Sequence, residues 1–244
     1  MVVLNKKLIL FWRIMMSFLK SWLLRQGCHI NIVPIITSKI PPIWKWFVFQ
    51  YVKFDSSTFS SEKSKVFFDK YLPTDRLKKL FCAKLAKAGL LVLLKWVRDN
   101  DCHWDEDTCA YAAENGHLEV LQWAKNNGCP WDIMTCANAA LHGHFEILKW
   151  ARADFHGDNV CHWDEWTCIH AAHNGHLEIL KWARTNGCPW DEKTCYAAAY
   201  NGHLEVLKWA RANGCPWDAK TCSNAAQKGH LEVLKWARDN GCPE

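Results

Sequence analysis

The chain has 244 residues, half of them hydrophobic and 23% charged, which admits a packed core and excludes wholesale disorder. With 12 Gly and 8 Pro it is neither collagen-like nor a long linker, and no stretch of some 18 residues is free of charge, which argues against a multi-span membrane protein. The 30 Lys and Arg against 25 Asp and Glu conceal a split, because residues 1–79 hold 14 basic and 4 acidic side chains and the remainder 16 and 21.

In chain order, residues 1–60 form a basic, Trp-rich segment without repeats. Leu8–Leu24 is apolar but contains Arg13 and Lys20. Asn5-Lys6-Lys7 before Leu8 looks like a signal start, yet Arg25-Gln26-Gly27 stands where a small-residue cleavage site would be needed. Ile40–Val52 is a second apolar stretch, broken by Pro41-Pro42. Three readings stay open for this segment: a membrane-surface element carrying Trp12, Trp22, Trp44 and Trp46, a poorly ordered leader, or a small divergent domain. Its lysines are dispersed, so no nucleic-acid binding is expected. Ser61–Tyr71 is predicted as a helix, and Pro73-Thr74-Asp75 as the start of another that runs through Leu77, Leu80, Phe81 and Leu85. Residues 61–81 are therefore expected to be a helical N-terminal cap.

From Cys82 the chain repeats itself. Blocks of the form Cys-Ala-Tyr-Ala-Ala-Glu-Asn-Gly-His-Leu-Glu-Val-Leu-Gln-Trp begin at Cys82, Cys109, Cys136, Cys168, Cys195 and Cys222. Four of the steps are 27 residues and one is 32, the longer one holding an insertion within Asp154–Val160. Each unit predicts two short helices. In the fifth, the first runs from Thr194 as N-cap to Asn201 and ends at Gly202, and the second runs from His203 to Ala212 and ends at Asn213-Gly214. Ala197, Ala198 and Ala199 leave room for a neighbouring helix. Leu204, Val206, Leu207, Trp209 and Ala210 make an apolar stripe that one unit cannot bury alone, so units must stack. Trp96, Trp123, Trp150, Trp182, Trp209 and Trp236 recur at one helical position, and Trp104, Trp131, Trp163, Trp190 and Trp217 at one connector position, so two ladders of indoles are expected.

Ala198-Ala199-Tyr200-Asn201-Gly202-His203, followed by Gly214-Cys215, resembles the ankyrin repeat, and the resemblance covers residues 82–244. It implies an all-α solenoid of about six helix pairs and a non-enzymatic protein–protein interaction scaffold. The family unit is typically about 33 residues. The residues missing here fall between Trp-Asp and Thr-Cys, where the family carries its β-hairpin finger. No finger is expected, and the first-helix face becomes the contact surface. The rival function is a membrane-surface adaptor anchored by residues 1–60.

Twelve of the 13 Cys lie in the array, in pairs seven residues apart such as Cys102/Cys109 and Cys188/Cys195. Zinc knuckles use closer spacing. Buried core thiols are favoured over disulfides, and disulfides over metal, with a reducing compartment as the default. By the family alignment, one Cys of each unit takes a Leu position and the other an Ala position, both packing sites. His117, His176, His203 and His230 open second helices, where a structural bond to the neighbouring turn is the expected role. No catalytic motif occurs, and the recurring Asp, Glu, His and Cys offer no singular environment for catalysis. No enzyme activity, cofactor or metal is expected. The protein is expected to be monomeric and cytoplasmic, with the nucleus as an alternative, and not secreted.

Positions that vary between units mark the candidate binding face: Tyr111, Glu114, Met134, Leu141, His142, Trp166, His170, His173, Tyr200 and Gln227. The partner is an unidentified protein, expected on the first-helix side near the Asp154–Val160 insertion. Trp166 and Tyr200 are expected to be exposed anchors. Binding is expected to weaken below about pH 6.5 as His170 and His173 charge.

Overall fold

The structure, a computed structural model, describes residues 72, 74–153 and 160–243. Residues 1–60, most of the expected cap and nearly all of the Asp154–Val160 insertion lie outside the described residues. The described part is all-α and holds twelve helices in six pairs, with no strand among the described residues. These are α1 (Asp75–Lys87) and α2 (Leu91–Asp99), α3 (Glu106–Glu114) and α4 (Leu118–Asn126), α5 (Ile133–Leu141) and α6 (Phe145–Arg152), α7 (Glu165–His173) and α8 (Leu177–Thr185), α9 (Glu192–Tyr200) and α10 (Leu204–Ala212), and α11 (Ala219–Gln227) and α12 (Leu231–Asp239). Helix α1 runs across residue 82, so the described end of the expected cap is continuous with the first helix of the first unit.

The first helices start one turn earlier than the expected Thr. Asp132, Asp164, Asp191 and Asp218 are the N-caps, each accepting a backbone N–H two residues on at 3.0–3.1 Å. Thr194 therefore sits inside the first turn, where its N–H bonds to the Asp191 carbonyl and its side chain is buried. Asp wins the cap because its short carboxylate meets the unpaired N–H groups and complements the positive helix end. Second helices α4, α8, α10 and α12 begin at Leu and α6 at Phe145, each with His in the cap position but making no cap bond of its own, whereas Leu90 takes that position before α2.

First helices pack directly on the first helices of both neighbours, while each second helix packs mainly on its own partner. The cause is side-chain size, since Ala112, Ala113, Ala139, Ala140, Ala171, Ala172, Ala198 and Ala199 are fully buried between first helices and leave no bulk to separate them. Leu94, Leu121, Leu148, Leu180 and Leu207 fill the space beneath the second helices and are fully buried.

The tryptophans form one set of joints rather than two separate ladders, and they are half-buried rather than core. Each connector indole meets the helix-two indole of the following unit edge to face, as in Trp104–Trp123, Trp163–Trp182 and Trp190–Trp209, with centroids 5.6–5.8 Å apart. From the other side a cation closes over the same connector ring: Arg98 over Trp104 at 3.9 Å, Arg184 over Trp190 at 4.1 Å and Arg211 over Trp217 at 4.2 Å. Each connector Trp is thus held by one unit's cation and the next unit's indole.

Candidate protein-binding face

The histidines supply the register between units. The Nε2–H groups of His117, His144, His176, His203 and His230 donate to the carbonyls of Lys87, Glu114, Leu141, His173 and Tyr200 at 3.0–3.2 Å. Each imidazole also lies against the glycine of the preceding unit. Gly202 has φ +76°, and a Cβ placed there would stand 2.6 Å from His230 Nδ1. That position needs glycine twice, for its left-handed backbone and for the ring packed on it. Burial holds His203 below the usual histidine range, against the opposing pull of its own bond to the His173 carbonyl, which favours the charged ring. These bonds also fix the first helices, because the accepting carbonyls belong to their last turns.

On each first helix the residues two before, two after and five after the Cys fall on one side, spaced four and three apart. Unit two presents Asp107, Tyr111 and Glu114; unit three Met134, Asn138 and Leu141; unit four Trp166, His170 and His173; unit five Lys193, Ala197 and Tyr200; unit six Lys220, Asn224 and Gln227. The candidate residues read from the sequence belong to this stripe, except His142, which follows Leu141.

The structure divides them into two sets. Tyr111 and Glu114 are half-buried and tied to the first unit, since Lys87 Nζ lies 2.5 Å from Glu114 and 4.9 Å from the Tyr111 ring centre. Tyr200 is half-buried rather than exposed, beneath Lys228 at 4.3 Å and beside Tyr196 at 6.0 Å. Leu141 is half-buried as well, and its carbonyl accepts from Asn174 and His176. By contrast Met134 is 40% exposed, Trp166 45% exposed, and His142, His173 and Gln227 are exposed. The neighbour that the sequence reading left out is Ile133, 36% exposed at the start of α5. Its signal was available, because α5 carries no charged side chain while the equivalent positions elsewhere hold Glu106-Asp107 and Glu192-Lys193.

Trp166 packs edge to face on the His170 ring at 5.5 Å, and His170 Nδ1 lies 3.3 Å from the Ala137 carbonyl of the preceding first helix. Burial, with smaller contributions from the charges of His173 and His142, holds His170 below its ordinary value. Its protonation therefore comes at lower pH than expected for a free imidazole. The stripe is acidic at unit two, where burial and then the charges of Asp107 and Glu106 raise the Asp105 carboxyl. It is uncharged at unit three, aromatic and imidazole-bearing at unit four, and carries Lys193 and Lys220 at units five and six.

No group of three or more His, Cys, Asp or Glu among the described residues has metal-holding geometry. No helix among them is long and apolar enough to cross a membrane.

A family model described as ankyrin repeats (many copies) matches residues 109–152 and 195–238. No curated protein matches the chain. The solved ankyrin repeat domain of human ASB11 is similar, at 16% identity with a TM-score of 0.50, over 66% of this chain and 83% of that one. At that identity the likeness speaks for the fold alone. Residues 109–152 and 195–238 match ankyrin repeats, and the internal period carries the same helix-pair unit through all six described pairs.

Proposed function

We propose that the array is a non-enzymatic protein-interaction module and that its partner lies across the first-helix stripe at units three and four. Ankyrin repeats are in general protein–protein interaction modules, and the carrying observation is the apolar opening at Ile133, Met134 and Trp166 on adjoining helices α5 and α7. Scaffold positions in units two to five are occupied by buried Ala, Cys, Leu and Thr, whereas these three project from positions that are charged in units two and five. An exposed indole braced by His170 is a rigid anchor with little ordering cost, the kind of group that dominates interface energetics.

Charge sets the orientation of the partner. Asp107 and Glu106 flank the opening on one side, and Lys193 and Lys220 on the other. A segment with a bulky apolar centre, basic residues toward unit two and acidic residues toward units five and six is the complement.

Selection of random peptides displayed on phage against the full chain tests this. Enriched sequences should carry an apolar core with basic and acidic residues at opposite ends, and should be lost on a Glu106→Lys, Asp107→Lys variant or on Trp166→Ala. Enrichment without that polarity, or binding unchanged by these substitutions, contradicts the proposal.

A further inference from the structure

All twelve cysteines of the described residues are buried and unbridged. The fold pairs them differently from their linear spacing. The neighbours in space are not the Cys seven residues apart but the two belonging to one unit, the first on helix one and the second closing the loop after helix two. Cys82 Sγ lies 3.6 Å from Cys102 Sγ. Cys136 Sγ likewise reaches the Cys161 carbonyl at 3.9 Å and Cys195 Sγ the Cys215 carbonyl at 4.0 Å, as Cys82 Sγ reaches that of Cys102 at 3.9 Å; Cys222 and Cys242 pack in one cluster, and the thiols of Cys109 and Cys168 face those of Cys129 and Cys188. The closing thiol also donates to the carbonyl at the start of its own unit's first helix, as Cys129 does to Asp105 at 3.4 Å and Cys188 to Asp164 at 3.3 Å. The closing sulfur of each pair is therefore held in place by packing and by a bond to fixed backbone.

A thiol that only fills space has no need of a second one against it. We propose that every unit is a latent dithiol, which a disulfide oxidant such as glutathione disulfide converts to an intra-unit disulfide clasping the first helix to the loop that closes the second. One protein thiol loses its proton and attacks a sulfur of the oxidant, releasing one glutathione thiol and leaving a mixed disulfide. The facing thiol then loses its proton, attacks the protein sulfur of that mixed bond and expels the second glutathione. Two protein thiols and one glutathione disulfide become one protein disulfide and two glutathione thiols. The sulfurs must close from 3.6 Å to about 2.05 Å, a movement within reach of side-chain rotation.

Access sets the order. Cys222 and Cys242 keep 4% and 7% of their surface exposed, whereas the thiols of the inner units are closed off. Burial, then the bond to Cys222, pushes the Cys242 thiol up to about 12, and Cys129, Cys168 and Cys195 are pushed higher still, first by the facing thiol and then by burial. The Cys222–Cys242 pair reacts first, and the inner pairs react only as their units open locally. Oxidation then stiffens the array without altering the first-helix stripe, because no stripe residue takes part.

The test incubates the full native chain with excess glutathione disulfide at mildly alkaline pH, a few degrees below its melting temperature. Samples are quenched in acid over time, alkylated, digested and mapped by mass spectrometry. The expected products are Cys222–Cys242 first, then the other same-unit pairs, with a melting temperature raised by at least about 5 °C. A Cys222→Ala, Cys242→Ala variant should lose the earliest product and still form the inner ones. Links between Cys seven residues apart, links between chains, thiols that stay fully alkylatable after prolonged oxidation, or a lowered melting temperature would each overturn the proposal.

Discussion

The second helices of units five and six are the same sequence in two settings. Residues 202–211 and 229–238 are identical, yet Leu207 is fully buried and Leu234 only half-buried, and Leu204 is half-covered while Leu231 is 72% exposed. Ala199 is buried and its counterpart Ala226 exposed. Gly202 carries the His230 imidazole against it, and Gly229 has nothing within 4 Å of an added Cβ. The motif is thus largely an interface motif. Half of what it specifies is realised only when another unit stacks on it, which is the one-dimensional logic of repeat arrays.

The comparison breaks most readily at the leucines. Leu207→Ala should cost about 3 kcal/mol and Leu234→Ala about 1 kcal/mol, since the first empties a closed space and the second a partly open one. Equal losses in denaturant unfolding would mean that the last unit is as well packed as the fifth. The glycines come next. Gly202→Ala should cost about 2 kcal/mol, combining strain at positive φ with displacement of His230, against about 1 kcal/mol for Gly229→Ala, which bears the strain alone. His230→Ala in the Gly202→Ala background should recover part of the larger loss.

A smaller effect concerns the buried threonines. Thr194 Oγ1 has no hydrogen-bond partner among the described residues, so Thr194→Val should be neutral or stabilising by up to about 1 kcal/mol. A loss of stability on that substitution would show that the hydroxyl is engaged. The smallest effect is with pH. Burial lowers His170 and His203 in the folded chain, so between their folded values and the ordinary value of about 6.5 the unfolded chain binds more protons. Stability from these groups is present above about pH 6.5 and declines as the pH falls below it. His203→Gln should flatten the fall in melting temperature between pH 7 and 5, and an unchanged slope would assign it to other groups.

What was legible in the sequence is what lies close along the chain. The period, the helix pairs and the glycine stops follow from spacing and local conformational preference, and the structure has them. The cap passed from Thr194 to Asp191 because both are good N-caps, and only the buried side of the helix decides between them. The cysteine pairs and the Trp104–Trp123 type joints were not legible, since both are contacts across one unit's full turn and linear spacing pairs the wrong members. Among the candidate face residues, variation between units picks out side chains that share one side of the first helices. It cannot separate Trp166, which is open, from Tyr200, which Lys228 covers, because that difference arises from the next unit's side chain.

The central claim is that scaffold and recognition reside in different residues of the same helices. Its most direct test compares Met134→Asp, Trp166→Ala with the parent chain, measuring melting temperature and affinity for a phage-selected peptide side by side. The account predicts a melting temperature within about 2 °C of the parent and a loss of binding of at least about 30-fold, the scale of a removed anchor of about 2 kcal/mol. A variant that melts early, with binding lost only in proportion to unfolding, would place these residues in the scaffold and the recognition surface elsewhere.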